Sequence, residues 1–274
     1  MMQATPHLLL RLLGCLLLAL QWTAAEAQPL PGEAEGENPV AKLARTYLGR
    51  GYAAHTLDRD RVERLVMRRD SVDCTTLVEM VVAEALCPSR PDSALLLLRY
   101  RDGRLDGYAS RLHYVADWAE NAVRHGLLID VTALHCPSTA KLNLFFMTRH
   151  YTLYPALQRS PGDRRLMAER ERALTGQTVH VLGRDSLMRG VPSWIRPGDV
   201  IALTTARPGL DVSHMGIAVM HRGRIHLLHA SLTAGKVIVD PLPLDKMVAD
   251  GRRRWTGIRV FRARLPWQGC PQTR

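Results

Sequence analysis

Cys74 stands in the stretch Val72-Asp73-Cys74-Thr75-Thr76-Leu77-Val78-Glu79, between a strand-like run and an apolar run with helical spacing. A cysteine in the first turn of a helix meets backbone N–H groups that favour its thiolate, lowering its pKa from about 8.5 toward neutrality. That is the chemistry of a nucleophile. Taken alone, the stretch fits equally well a buried small hydrophobe or half of a disulfide, because cysteine is among the most buried residue types.

A base for that thiol is offered by the run Val212-Ser213-His214-Met215-Gly216-Ile217-Ala218-Val219. It alternates strictly, with Met215, Ile217 and Val219 on one face and His214, Gly216 and Ala218 on the other. Arg222-Gly223 supplies a two-residue turn into Arg224–Ser231. The turn predicts His221 opposite Arg224, His214 opposite Ser231 and His229 opposite Gly216. His214 and His229 are then diagonal neighbours on one face, with open space at Gly216. One imidazole can take a thiol proton while the other holds its ring and tautomer. Among eleven histidines, two strand histidines with unrelated bonds is the competing reading. A zinc site built from Cys74, His214 and His229 is a further one, but it lacks a carboxylate at ligand spacing.

The elements that must position these residues form a simple succession. Helical spacing covers Pro39–Arg50, Cys74–Leu86 with Asp73 as N-cap and Pro88 as stop, Asp92–Tyr100, Tyr114–His125 and Asp163–Leu174. A short strand is predicted around Leu65-Val66-Met67, and strand with turns over Gly176–Gly190. The last third is β-rich: Asp199–Thr204, Val212–Met220, Arg224–Ser231, Val237–Asp240 and Gly257–Phe261, separated by Gly, Pro and Asp turns. Helices first and strands later predict an α+β fold with an antiparallel sheet or small barrel.

Residues 1–27 read as a signal peptide: Arg11 precedes the apolar run Leu12–Leu20, and Ala25-Glu26-Ala27 offers a cleavage site before Gln28. Leu13-Gly14-Cys15 has the form of a lipoprotein box, but apolar residues continue beyond it, against acylation. No run reaches the ~20 residues of a membrane helix, so no integral membrane segment is expected. Residues 28–37 read as a linker. An exported, periplasmic protein is expected, and an oxidising compartment permits disulfides among Cys74, Cys87, Cys136 and Cys270. With Cys74 reserved as a thiol, Cys87 and Cys136, each before a proline, are the expected bridge.

The formal net charge of +11 points to an acidic partner: nucleic acid, anionic lipid or an envelope polymer. Of 37 basic residues only Lys42, Lys141, Lys236 and Lys246 are lysine, a bias that base composition accounts for. The basic residues are dispersed, without the clustered aromatics of single-strand binding, so nucleic acid is not the expected partner. No cofactor or metal motif is present, and oligomeric state is not legible.

Several ordered segments together carry a resemblance. Asp73-Cys74-Thr75-Thr76, Arg196-Pro197-Gly198-Asp199-Val200-Ile201, Ser213-His214-Met215-Gly216-Ile217 and Leu228-His229-Ala230-Ser231 follow the order of the NlpC superfamily of cell-wall cysteine peptidases and amidases. Arg99-Tyr100-Arg101-Asp102-Gly103, Ser110-Arg111-Leu112-His113-Tyr114 with Asp117-Trp118, and Gly209-Leu210-Asp211 before Val212 resemble one branch, the N-acetylmuramoyl-L-alanine amidase-like family. The likeness spans roughly residues 38–263, leaving 264–274 as a tail. It implies a papain-like, NlpC-type α+β fold in one domain, with the nucleophile helix packed on an antiparallel sheet and a mostly helical insert at about 99–193. It implies Cys74 as nucleophile, His214 as base and His229 as the orienting residue. It further implies Asp73, Thr75 (usually a serine in the superfamily) and Ser213 as substrate-binding positions, with Arg111, His113 and Tyr114 lining the site.

The resemblance implies an exported enzyme that hydrolyses an amide of peptidoglycan or muropeptides through a thioester. Asp73 opposes the thiolate, and with its side chain turned away as N-cap the helix and imidazolium are expected to prevail. The rival readings are a thiol acyltransferase on the same fold and a non-catalytic basic envelope-binding module. The scissile bond, muramoyl–L-alanine or γ-D-glutamyl–diamino acid, is not set by these residues.

Overall fold

In chain order the principal elements are helix α1 (Pro39–Arg45), strands β1 (Gly51–Tyr52) and β2 (Ser71–Val72), and helices α2 (Cys74–Leu86), α3 (Pro91–Arg99) and α4 (Val115–Arg124). Strands β3 (Leu128–Asp130) and β4 (Thr139–Lys141), helix α5 (Pro161–Leu174), and strands β5 (Thr178–His180) and β6 (Leu182–Gly183) follow. The chain closes with strands β7 (Val200–Thr205), β8 (Val212–His221), β9 (Arg224–Ser231) and β10 (Lys236–Pro243), helix α6 (Leu244–Ala249) and strand β11 (Trp255–Ala263). The structure, a computed structural model, describes residues 38–58, 60–250 and 255–271; the expected signal peptide and linker lie outside the described residues.

The protein is a mixed α+β fold. Nine strands form one sheet in the order β2-β1-β10-β9-β8-β7-β11-β3, with β6 also on β11. All its pairings are antiparallel except β1–β2. Helix α2 lies against β8 and β9, and Leu77, Val78, Val81 and Val82 of α2 share one core with Met215, Ile217, Leu228 and Ala230. Each such side chain, fully removed from water, contributes about 1.5–3 kcal/mol. A second core packs α6 and the opposite face of the sheet around Leu203, Ala218, Leu227 and Ile258. A third, around Tyr108, Tyr114, Leu157 and Met167, belongs to the intervening segment. That segment is not only helical: β3 and β6 add to the main sheet, and β4 and β5 pair with each other.

The hairpin register holds from His221↔Arg224 to Ile217↔Leu228. Beyond that point β8 continues against β7, with His214 opposite Leu203. Gly216 does not leave open space. A Cβ there would lie 2.6 Å from the Leu228 carbonyl oxygen and 2.8 Å from Leu227, so glycine is what lets β8 and β9 close together between the histidines.

Three expectations are corrected. Leu65–Met67 joins no ladder; side chains take the polar backbone of this loop instead. Arg99 donates to the Val66 carbonyl, Tyr100 Oη to the Arg64 carbonyl (2.9 Å) and Arg111 to the Leu57 carbonyl (3.0 Å). In Gly176–Gly190, strand ends at Gly183 and Arg184–Met188 is helical. Cys87 pairs with Cys270, not Cys136, at a Cα–Cα distance of 5.3 Å. After β11 the tail returns to the end of α2, while Cys136 sits in the second core and donates its thiol to the Val181 carbonyl (3.2 Å). A shared preceding-proline context says nothing about which sulfurs approach.

Candidate active site

Cys74 is the first residue of α2, and Asp73 caps that helix. The Asp73 carboxylate accepts the Thr76 N–H (2.8 Å) and the Thr76 hydroxyl (2.8 Å), while Thr76 Oγ1 accepts the Asp73 N–H (2.9 Å). The third N–H of the helix is thereby engaged, and the Leu77 N–H goes to the Asp73 carbonyl (3.0 Å). The N–H groups of Cys74 and Thr75 stand at the helix mouth beside the thiol. Cys74 is a free, partly exposed cysteine.

Its thiol, however, is not poised as a thiolate. Burial pushes it up to about 11 and the Asp73 charge adds to this, outweighing hydrogen bonds from the Met215 backbone and Thr75 that act the other way. The expected thiolate is thus corrected: Asp73 caps the helix as foreseen, yet desolvation of the sulfur prevails. The bond with Met215 sets the thiol against β8, at the residue following His214.

The two histidines meet as the hairpin predicts. His214 Nε2 and His229 Nδ1 share a hydrogen bond of 2.8 Å, the rings nearly perpendicular at 88°. The Trp255 ring stacks on His214, centroids 6.5 Å apart. His229 is buried, and its Nε2 lies 3.4 Å from Oδ2 of Asp240 on β10, itself 2% exposed. No local spacing signalled Asp240. The signal available was register, since His229 pairs with Ile238 and places Asp240 two residues along the same face. Tyr52 of β1 was also missed. Burial and the charges of Cys74 and Asp73 push its phenol up, so it stands near the thiol as a protonated hydroxyl. Among the described residues no set of three or more His, Cys, Asp or Glu side chains is arranged to hold a metal ion.

The remaining expected site residues are distributed differently. Thr75 Oγ1 is 4.0 Å from Cys74 Sγ, and Ser213 is exposed on β8. Tyr114 is enclosed in the third core, donating to Glu171 (2.6 Å) and accepting the Met147 N–H (3.1 Å). Arg111 binds Asp58 (2.8 Å) and Glu63 (2.8 Å) and stacks over Tyr108. It lines a cavity of ≈ 510 Å³ whose walls do not include Cys74, His214 or His229. His113 contacts the Tyr108 carbonyl (3.1 Å); burial and Arg111 push it down to about 3, so it is neutral. Asp211 accepts the Ala116 N–H (2.7 Å) and the Val212 N–H (2.8 Å), tying the start of α4 to β8 just before His214.

Fold and site together define a mixed α+β protein with a cysteine at a helix N-terminus, tied to the Met215 backbone of β8, and a hydrogen-bonded histidine pair on β8 and β9 backed by a buried carboxylate. The chain belongs to the AmiA-like, N-acetylmuramoyl-L-alanine amidase-like family, whose sequence profile matches residues 42–256. It is similar to the crystal structure of an N-acetylmuramoyl-L-alanine amidase from Bacteroides uniformis ATCC 8492 (46% identity, 82% of this chain and 98% of that chain, TM-score 0.79). It is also similar to a Bacteroides fragilis structure described as a candidate xylanase (49%, 81% and 99%, TM-score 0.78). A Legionella pneumophila protein shares the fold at 21% identity (85% and 90%, TM-score 0.63). A comparison with curated proteins found no match.

Proposed function

We propose that the protein is an exported cysteine amidase that hydrolyses the N-acetylmuramoyl–L-alanine bond of peptidoglycan or its fragments. The observation that carries this reading is the 2.8 Å contact between His214 and His229, with Cys74 at the start of α2 tied to the Met215 backbone next to His214, in a chain of an amidase-like family. Cys74 Sγ attacks the amide carbonyl as His214 takes its proton, forming a C–S bond. The Cys74 and Thr75 N–H groups and the Tyr52 hydroxyl are the donors placed to receive the oxyanion. His214 then protonates the leaving amine of L-alanine, leaving a thioester, and passes a water proton in the reverse sense to release the muramic carboxylate. With the thiol near 11, proton transfer accompanies attack rather than preceding it.

The papain-like arrangement of the NlpC superfamily accommodates this mechanism, with Asp73 and Thr75 next to the thiol and Ser213 exposed on β8 as candidate substrate contacts. Arg111, His113 and Tyr114 act by shaping the intervening segment. A periplasmic location fits the Cys87–Cys270 disulfide, which needs an oxidising compartment. Among the described residues no helix is long and apolar enough to cross a membrane. A glycosidase, which the description of the B. fragilis relative raises, needs two carboxylates facing one sugar; here Asp73 is engaged as the helix cap and Asp240 is buried behind His229.

The test is digestion of purified muropeptides by the wild type and Cys74→Ala, read by mass spectrometry. The wild type is expected to release peptides with a free L-alanine amine and sugars with a free muramic carboxyl group, the two products together heavier than the substrate by one water, and Cys74→Ala to fall to background. Undiminished digestion by Cys74→Ala would overturn the cysteine mechanism. Cleavage after D-glutamate would move the scissile bond, and an acyl group transferred to a nucleophile other than water would make the enzyme a transferase.

A further inference from the structure

We propose that Asp240 is a positioning residue that sets the tautomers of both histidines and thereby makes His214 a base. This rests on the amidase reading above and adds a residue to it. Asp240 is clamped where β10 is irregular: the register against β9 shifts between Val239 and Pro243, and Pro241 follows directly. Its carbonyl accepts from His226 Nδ1 (2.8 Å), its Oδ1 accepts the Leu242 N–H (2.9 Å), and its Oδ2 faces His229 Nε2 at 3.4 Å. Asp240, His226 and His229 are all buried, so the carboxylate is held by the fold and not by chance rotamer choice.

The consequence follows from donor counting. An ionised carboxylate only accepts, and a neutral imidazole carries one N–H and one acceptor nitrogen. Facing Asp240, His229 holds its proton on Nε2, so its Nδ1 must accept. The partner in that 2.8 Å bond is His214 Nε2, which must therefore be the donor. His214 then carries its proton on Nε2, and Nδ1 is its unprotonated, basic nitrogen. When that nitrogen takes a proton, the imidazolium keeps its Nε2–H on His229, and no proton needs to reach Asp240. Without the carboxylate both rings can reverse, and His214 would carry its proton on Nδ1, where no basic nitrogen is left for the thiol.

Asp240→Asn is a sharp test because the side chain is isosteric. The Leu242 N–H needs an acceptor, so it retains the amide oxygen at the Oδ1 position and directs the NH₂ group at His229 Nε2. In the wild type His229 Nε2 is buried with no hydrogen-bond partner among the described residues and only the Asp240 carboxylate at 3.4 Å, so the amide NH₂ placed there inverts both tautomers. The 15N imidazole shifts are recorded for the resting wild type and for Asp240→Asn, with assignments from His214→Gln and His229→Gln. We expect Nε2–H on both rings in the wild type and Nδ1–H on both in Asp240→Asn. We further expect kcat to fall by about 10²–10⁴-fold with little change in KM, the loss that a wrong tautomer of a catalytic histidine produces.

Wild-type His229 protonated on Nδ1 would overturn the proposal by itself, whatever the variant's folding. So would an Asp240→Asn enzyme within about threefold of wild type, or one that is slow with unchanged tautomers. Activity that survives Cys74→Ala would instead sink the amidase mechanism, leaving the tautomer measurement to judge Asp240 separately.

Discussion

Cys74 sits where a helix terminus, a hydrogen-bonding strand and a nearby carboxylate all act on one sulfur, and desolvation outweighs them. A resting thiol of this kind should react slowly with a small neutral alkylating agent at neutral pH. The rate of iodoacetamide inactivation is expected to climb steadily beyond about pH 9, past the midpoint of an ordinary cysteine. In Asp73→Asn the cap is retained, since asparagine caps as well as aspartate, but the opposing charge is gone. The curve should then shift toward lower pH. A plateau near neutrality in the wild type would mean a preformed thiolate–imidazolium pair and would contradict the effect of burial.

At the scale of elements, helix α2 is joined to the rest of the site by more than apolar packing. Glu79 on α2 and Arg99 at the end of α3 form a buried pair at 2.8 Å, with side chains 3% and 1% exposed. Burial raises the Glu79 pKa while Arg99 opposes the rise. Arg99 also reaches the Val66 carbonyl, so one side chain links helix α2 to the loop that leads into β2 and Cys74. Arg99→Met leaves the Glu79 carboxylate buried and uncompensated, a loss of about 3–5 kcal/mol. For a domain of this size that lowers the melting temperature by roughly 6–20 °C. The double variant Glu79→Leu/Arg99→Met, in which no charge is stranded, should recover most of the loss. Equal destabilisation in the single and double variants would show that the pair matters for its volume and not its charge.

For the whole molecule, the Cys87–Cys270 bridge closes a loop of 183 residues in sequence separation and holds the tail against the end of α2. Cross-linking so long a loop removes much of the freedom of the unfolded chain, and losing such a bridge typically costs about 2–5 kcal/mol. Cys270→Ser, or reduction of the wild type, should lower the melting temperature by several degrees, with the oxidised protein insensitive to further oxidant. No change on reduction would mean that the packing of Trp267 and its neighbours, which join the main core, already fixes the tail. The formal charge of +11, carried almost wholly by arginine, is compatible with an acidic wall polymer without defining a binding surface.

The chain itself determined the start of α2 at Cys74 and its Asp73 cap, the alternation of β8 and the Arg222-Gly223 turn that brings His214 and His229 together. These rest on cap chemistry, side-chain period and turn geometry, all set within a few residues of the chain. Tertiary structure alone decided that Asp240 backs His229, that Cys87 finds Cys270 and that Gly216 serves close strand approach. It also decided that Arg111 and Tyr114 bind acidic partners inside the intervening segment, and that the Cys74 thiol is pushed up rather than down. Each of those outcomes depends on which distant elements meet and on how much water they exclude. Neither quantity is carried by local sequence pattern, which is why the helix-terminal cysteine and the paired histidines were legible and the forces acting on them were not.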